Sequence, residues 1–165
     1  MAEYEITIAQ VPMGLIAAVR GRANPENIGT TIRQLYDQLY AFVRKSRLQT
    51  GQNVVLYGNL ANRNLLSTPE GIPIEAGVQV SAPFASDGNV ICSATPEGAV
   101  ATCTHQGEYE KLAAAHKAIM QWCRENGHEL AGPAWELYGD WADDPAQRRT
   151  DVFYLVRYCV LRCVT

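Results

Sequence analysis

The sequence is short of charge, lacks a basic surplus and has no long apolar run. Only 19% of its 165 residues are charged, and 14 lysines and arginines face 17 acids for a net charge of −3. A protein that works through phosphate contacts normally carries excess positive charge, so nucleic acid is not an expected partner. No apolar stretch approaches the roughly 18 residues that a membrane-spanning helix requires. The N-terminus, Met1-Ala2-Glu3-Tyr4-Glu5-Ile6, puts acids where a secretion signal would be basic, and no apolar run follows. A cytoplasmic protein is expected. The cysteines, Cys92, Cys103, Cys123, Cys159 and Cys163, are odd in number and form no CxxC pair. That favours reduced thiols over a disulfide framework. Cys103, His105 and His116 lack zinc-like spacing, so no metal is expected. GxGxxG, P-loop and GxSxG motifs are missing as well, and with them the usual signs of a cofactor or a serine nucleophile.

What is present is a chain that is 47% hydrophobic, which excludes a disordered protein. Its length suits one domain over residues 1–165, able to bury roughly two-thirds of its unfolded surface. The aromatic residues lean toward tyrosine, with 8 Tyr against 3 Trp and 3 Phe.

Two short signatures recur. Val11-Pro12-Met13-Gly14 matches Thr95-Pro96-Glu97-Gly98 at an offset of 84, and Leu56-Tyr57-Gly58-Asn59 matches Leu137-Tyr138-Gly139-Asp140 at an offset of 81. Two matches in the same order indicate an internal duplication, with repeat one at about residues 1–86 and repeat two at about 87–165. In the first repeat Tyr4, Ile6 and Ile8 alternate as in a strand. Pro12 interrupts that strand, and Gly14–Arg20 resumes it. Asn24-Pro25-Glu26 predicts a helix start, followed by Ile28, Ile32, Leu35, Tyr36, Leu39, Phe42 and Val43 at helical spacing. Strands are predicted over 54–60 and 77–82. The second repeat gives a strand over 90–104 broken at Pro96, then a helix carrying Tyr109, Leu112, His116, Ile119 and Cys123. Asn126-Gly127 is its stop signal, and strands over 134–141 and 151–162 close the repeat.

The expected fold is therefore α+β: two pseudo-symmetric β-α-β-β repeats with joined antiparallel sheets, both helices on one side and a cleft between the halves. Such a cleft is a common place for a small-molecule site.

The second repeat also carries an ordered series of local signatures: His105-Gln106-Gly107-Glu108-Tyr109-Glu110-Lys111-Leu112, a helix ending at Trp122, Asn126-Gly127, Gly132-Pro133, Trp135-Glu136-Leu137-Tyr138-Gly139-Asp140, and Arg149-Thr150-Asp151-Val152-Phe153. This series resembles the GyrI-like small-molecule-binding family, which includes the effector-binding domains of AraC-type and MerR-type multidrug regulators. The resemblance implies the same duplicated fold. It also implies binding of hydrophobic, often cationic compounds, with Glu136 on the cleft floor. Some members that this chain resembles hydrolyse strained cyclopropane-bearing toxins with that glutamate, and others modulate gyrase. The chain departs from the family pattern at Leu155, where many members have proline. It departs again in the loop Trp141-Ala142-Asp143-Asp144-Pro145, at the mouth of the cleft.

On its own strand Glu136 reads as a solvent-facing residue, because a buried unpaired carboxylate is costly. The equivalent position in the first repeat is Val55, so no structural role common to both halves accounts for the acid. With the resemblance, Glu136 is placed in the cleft, and strand alternation puts Tyr138 on the same face. Tyr57 is the repeat mate of Tyr138, Phe153 lies on the neighbouring strand, and Tyr36 and Trp141 are wall or rim candidates. His116, on an apolar helix face, reads as a packed histidine, and Tyr109 and Trp122 read as packing residues. Aromatic faces attract a cation by about 0.5–2 kcal/mol each, and a carboxylate among them adds a charge pair.

The leading expectation is a stand-alone binding module for hydrophobic, cationic small molecules. Two alternatives stand beside it. One is a hydrolase of strained electrophiles with Glu136 as general acid or base, assisted by Tyr138. The other is a protein-binding modulator, for example of gyrase. A homodimer through a sheet edge or the apolar tail Tyr158–Thr165 is a further expectation.

Overall fold

The computed structural model describes residues 3–60 and 62–157. The first half comprises β1 (Thr7–Val11), β2 (Gly14–Ala23), α1 (Ile28–Val43), β3 (Thr50–Tyr57), the short α2 (Arg63–Leu66) and β4 (Ile72–Val80). The second comprises β5 (Val90–Thr95), β6 (Gly98–Gln106), α3 (Leu112–Glu125, entered through one 3-10 turn at Tyr109–Lys111), β7 (Glu129–Tyr138) and β8 (Arg149–Arg157). The strands form one antiparallel sheet in the order β1-β6-β8-β7-β3-β4-β2-β5. The halves join where β3 pairs with β7. This is the α+β duplication with joined sheets that the repeat predicts.

Each half also lends its first strand to the other. β1 pairs with β6, and β5 pairs with β2. The prolines at 12 and 96 therefore do more than interrupt a strand. They mark where the chain leaves one half-sheet for the other, at places where a missing N–H costs no ladder bond. In a flat sheet β1 and β2 would stand six strand spacings apart, about 29 Å. The link Pro12-Met13 spans at most about 11 Å. The sheet must roll until its two ends approach each other.

Strand alternation then divides the core. The outer face is covered by the helices, α1 over Val55, Tyr57, Ile74 and Ala76, and α3 over Ala134, Val152 and Tyr154. The inner face of the roll holds Ile16, Ala18, Val54, Val100 and Trp135. Helix α1 has its apolar stripe where the sequence predicts it, but it begins one turn late. Asn24 and Asn27 instead close a turn, the Asn24 side chain accepting from the backbone N–H groups of Glu26 and Asn27 at 3.0 and 3.1 Å. Helix α3 ends at the expected glycine, Gly127, whose φ of 72° is left-handed. Strand β4 starts earlier than predicted because Pro73, near its beginning, masks the apolar alternation on either side. Strand β7 also starts earlier, and a bulge between Leu130 and Ala134 includes Gly132 at φ 122°. No helix among the described residues is long and apolar enough to cross a membrane. The tail Tyr158–Thr165, expected as a dimer contact, lies outside the described residues.

Candidate functional site

The site follows from the register of the two central strands. The repeat offset of 81 carries Val55 onto Glu136, and the ladder pairs the same two residues across the seam. A residue pair that is both symmetry-related and directly opposed lies on the pseudo-twofold axis. Glu136 is therefore at the centre of the molecule, on the helix-covered face, and is only 4% exposed.

A carboxylate buried to that extent needs donors, and three side chains supply them. The Tyr57 hydroxyl donates to Oε1 at 3.1 Å, and the Tyr138 hydroxyl donates to Oε2. These two tyrosines are repeat mates and approach from opposite sides of the axis. His116 Nε2 donates to Oε1 at 2.7 Å. The other ring nitrogen, Nδ1, lies 2.7 Å from the Tyr154 hydroxyl. The imidazole is set edge-on against the Tyr57 and Tyr154 rings, with centroids 6.2 and 5.6 Å away. Burial first, and the Glu136 charge second, push the Tyr57 and Tyr138 phenols well above their ordinary range. Tyr154 is raised for the same two reasons in the same order. All three remain hydroxyl donors far beyond neutral pH.

Above this floor opens a cleft of about 530 Å³ between α1, α3 and the segment around α2. Its walls are apolar, with Ile28 and Ile32 on one side, Leu112 and Met120 on the other, and Leu60 and Leu66 at the end. Tyr57, Tyr154 and Tyr109 contribute ring surface. An apolar cleft with one buried acid and few convergent polar groups has the composition of a small-molecule site.

The candidates read from sequence divide by position. Glu136, Tyr57 and Tyr138 are joined by hydrogen bonds, but only Glu136 and Tyr57 line the cleft, while Tyr138 lines an adjoining groove with Tyr36. Tyr36 sits on α1 with its hydroxyl donating to the Val54 and Gly77 carbonyls at 2.9 and 3.1 Å. Burial raises its phenol as well. Its ring lines a neighbouring groove of about 610 Å³ rather than the cleft. Trp141 is 68% exposed on the rim of that groove, under the Arg148 guanidinium 3.9 Å from its ring centroid. Tyr109 faces both spaces and meets Tyr138 edge-on at 5.4 Å. Phe153 is corrected outright. Glu136 pairs with Val152 across β7 and β8, so positions 152 and 154 share the cleft face and 153 takes the other. Phe153 stacks on Trp135 inside the roll, centroids 5.4 Å apart. Tyr154 holds the place expected for it.

Sequence reading missed His116 and Tyr154. The signal for His116 lies in the helices. Leu35 and Leu39 are buried in α1 as Ala115 and Ile119 are in α3, an offset of 80 that makes His116 the mate of Tyr36. His105, by contrast, is a packed histidine: Tyr4 donates to its Nδ1 at 2.8 Å, and its Nε2 donates to the Glu108 carbonyl at 3.0 Å.

Comparison with known proteins agrees with this architecture. Residues 4–157 match the family model of the GyrI-like small molecule binding domain. No curated relative matches the sequence. Among solved structures, the EcmrR C-terminal domain is 21% identical with a TM-score of 0.74, over 93% of this chain and 98% of that domain. EcmrR in its complex with DNA gives a TM-score of 0.77, again at 21% identity and over 93% of this chain, but this chain spans only 57% of that one. SAV2435 bound to tetraphenylphosphonium is 12% identical with a TM-score of 0.65, over 94% of both chains. A hydrolase encoded by lin2189 of Listeria innocua is 12% identical with a TM-score of 0.58, over 93% of this chain and 92% of that one. At these identities the likeness is one of fold.

Proposed function

The chain belongs to the GyrI-like small molecule binding domain family, and from that premise we propose that its cleft takes hydrophobic small molecules carrying a positive charge. The observation behind this reading is the buried Glu136 carboxylate on the pseudo-twofold axis, ringed by tyrosines at the foot of apolar walls. The carboxylate already accepts three hydrogen bonds. It therefore offers a ligand its field more than further bonds. A cation that is delocalised and poor in N–H donors suits such a floor better than an ammonium, which brings its own hydration and needs acceptors. Ring faces add attraction without imposing a fixed shape. The role that follows is sensing or sequestration of lipophilic cations.

Calorimetric titration with tetraphenylphosphonium and with neutral triphenylphosphine oxide tests the reading. Saturable binding that favours the cation supports it, and equal affinity for the two compounds removes the charge from the account.

One observation favours a second reading. His116 in contact with Glu136, and Tyr154 behind it, form a chain that can take up and return a proton. A water on this floor could then be activated toward a strained electrophile such as a cyclopropane. Turnover of such a compound beyond one equivalent supports hydrolysis, and loss limited to one equivalent supports capture alone.

A further inference from the structure

The Glu136–His116–Tyr154 chain can hold two protonation states without moving a heavy atom. With a neutral imidazole, Nε2–H donates to Glu136 and the Tyr154 hydroxyl donates to Nδ1, at 2.7 Å each. With an imidazolium, both ring nitrogens donate, and the Tyr154 hydroxyl turns to become the acceptor. The two states present different floors to a ligand. Carboxylate plus neutral imidazole carries one negative charge, and carboxylate plus imidazolium carries none. The pair is only 5% and 12% exposed at the two side chains, so solvent screens little of this difference.

We propose that His116 sets the charge of the cleft and that a lipophilic cation enters by exchange for its proton, one proton released from Nδ1 to solvent for each cation bound to the imidazolium form. This rests on the cation reading of the cleft. The groups facing His116 are consistent with a single exchanging proton. Glu136 on β7, Tyr57 on β3 and Tyr154 on β8 surround the ring. The three tyrosines of the floor hold their protons. From α1 the cleft receives only Ile28, Gly29 and Ile32, and the Tyr36 hydroxyl is committed to backbone carbonyls. On α3 itself Lys117 is exposed, and on the turn before it Glu110 lines the cleft.

The sign follows. At low pH the cation must displace a proton that Glu136 already holds nearby, and binding is weakened. At high pH the negative floor is vacant and binding is strongest. Where the exchange is complete, affinity rises by about tenfold per pH unit. A neutral ligand of the same shape shows no such rise.

Binding of tetraphenylphosphonium to the full chain, measured calorimetrically between about pH 5 and 8 in buffers of different ionisation enthalpy, tests the exchange. The expected result is affinity rising with pH, proton release that approaches one per cation at the acid end and falls away at the alkaline end, and loss of both effects in His116→Gln, whose amide keeps the bond to Glu136. Imidazole ¹⁵N resonances of the unsubstituted protein give an independent readout, with Nδ1 losing its proton as the cation is added. Cation binding that does not change with pH, or a dependence that survives in His116→Gln, overturns the exchange and leaves the cation reading standing. Absence of cation binding at every pH overturns both.

Discussion

The two halves share a scaffold and differ in chemistry. At the three positions that face the axis, the first half carries Val55, Tyr36 and Val78, and the second carries Glu136, His116 and Tyr154. The correspondence follows from the strand offset of 81, the buried helix positions and the ladders Val55–Ala76 and Glu136–Val152. In the first half these side chains complete a hydrophobic layer, and the one hydroxyl among them is spent on backbone carbonyls. In the second half they bond one another. The feature both halves keep, Tyr57 and Tyr138, is what allows a single acid to sit on the axis with a donor on each side. Duplication supplies the cleft, and loss of symmetry supplies its charge.

The largest way to break this arrangement is to ionise the donors. Burial raises the phenols of Tyr36, Tyr57, Tyr138 and Tyr154, and the Glu136 charge raises them further. A group with a raised folded value contributes stability that is complete below its unfolded value, near 10, and is lost as pH climbs above it. Alkaline titration followed at the phenolate absorbance is expected to show these four tyrosines ionising together with global unfolding above about pH 10. Gradual ionisation of these four tyrosines in a protein that stays folded would contradict the burial argument.

A second acid on the axis sharpens the comparison. Val55→Glu places a carboxylate opposite Glu136 in a buried layer that offers it no donor. A loss of about 3–5 kcal/mol at neutral pH is expected from denaturant unfolding. Burial and like charge raise the value of the new carboxyl, so the lost stability is regained as pH falls and the group protonates. A loss that does not change with pH would point to steric crowding instead.

The smallest expected effect comes from Tyr36→Phe. It removes the hydroxyl that serves the Val54 and Gly77 carbonyls and costs about 1 kcal/mol of stability. Cation affinity is expected to be unchanged, since Tyr36 does not line the cleft. An affinity loss would mean that the neighbouring groove belongs to the site.

Much of this was legible in the sequence, and the limits have physical causes. Leu56-Tyr57-Gly58-Asn59 and its copy aligned the central strands, and with them the Val55–Glu136 contrast. The swap of β1 and β5 between half-sheets was not legible, because strand pairing is set by contacts distant in the chain. The choice between Phe153 and Tyr154 depended on the β7–β8 register, and residues 139–148, which join those strands, gave no local signal to fix it. His116 was hidden because the helices repeat at 80 and the central strands at 81, so its equivalence to Tyr36 emerges only when burial aligns the helices.

The central claim is that one carboxylate gives a duplicated hydrophobic cleft its preference for positive charge. The most direct measurement is the ratio of affinities for tetraphenylphosphonium and triphenylphosphine oxide in the unsubstituted protein and in Glu136→Gln, at a pH near 8 where histidine is ordinarily neutral. The amide keeps the shape of the side chain and removes the charge. The account predicts that the ratio falls by at least about tenfold, through weaker binding of the cation with little change for the neutral compound. A ratio that is the same in both proteins would contradict it.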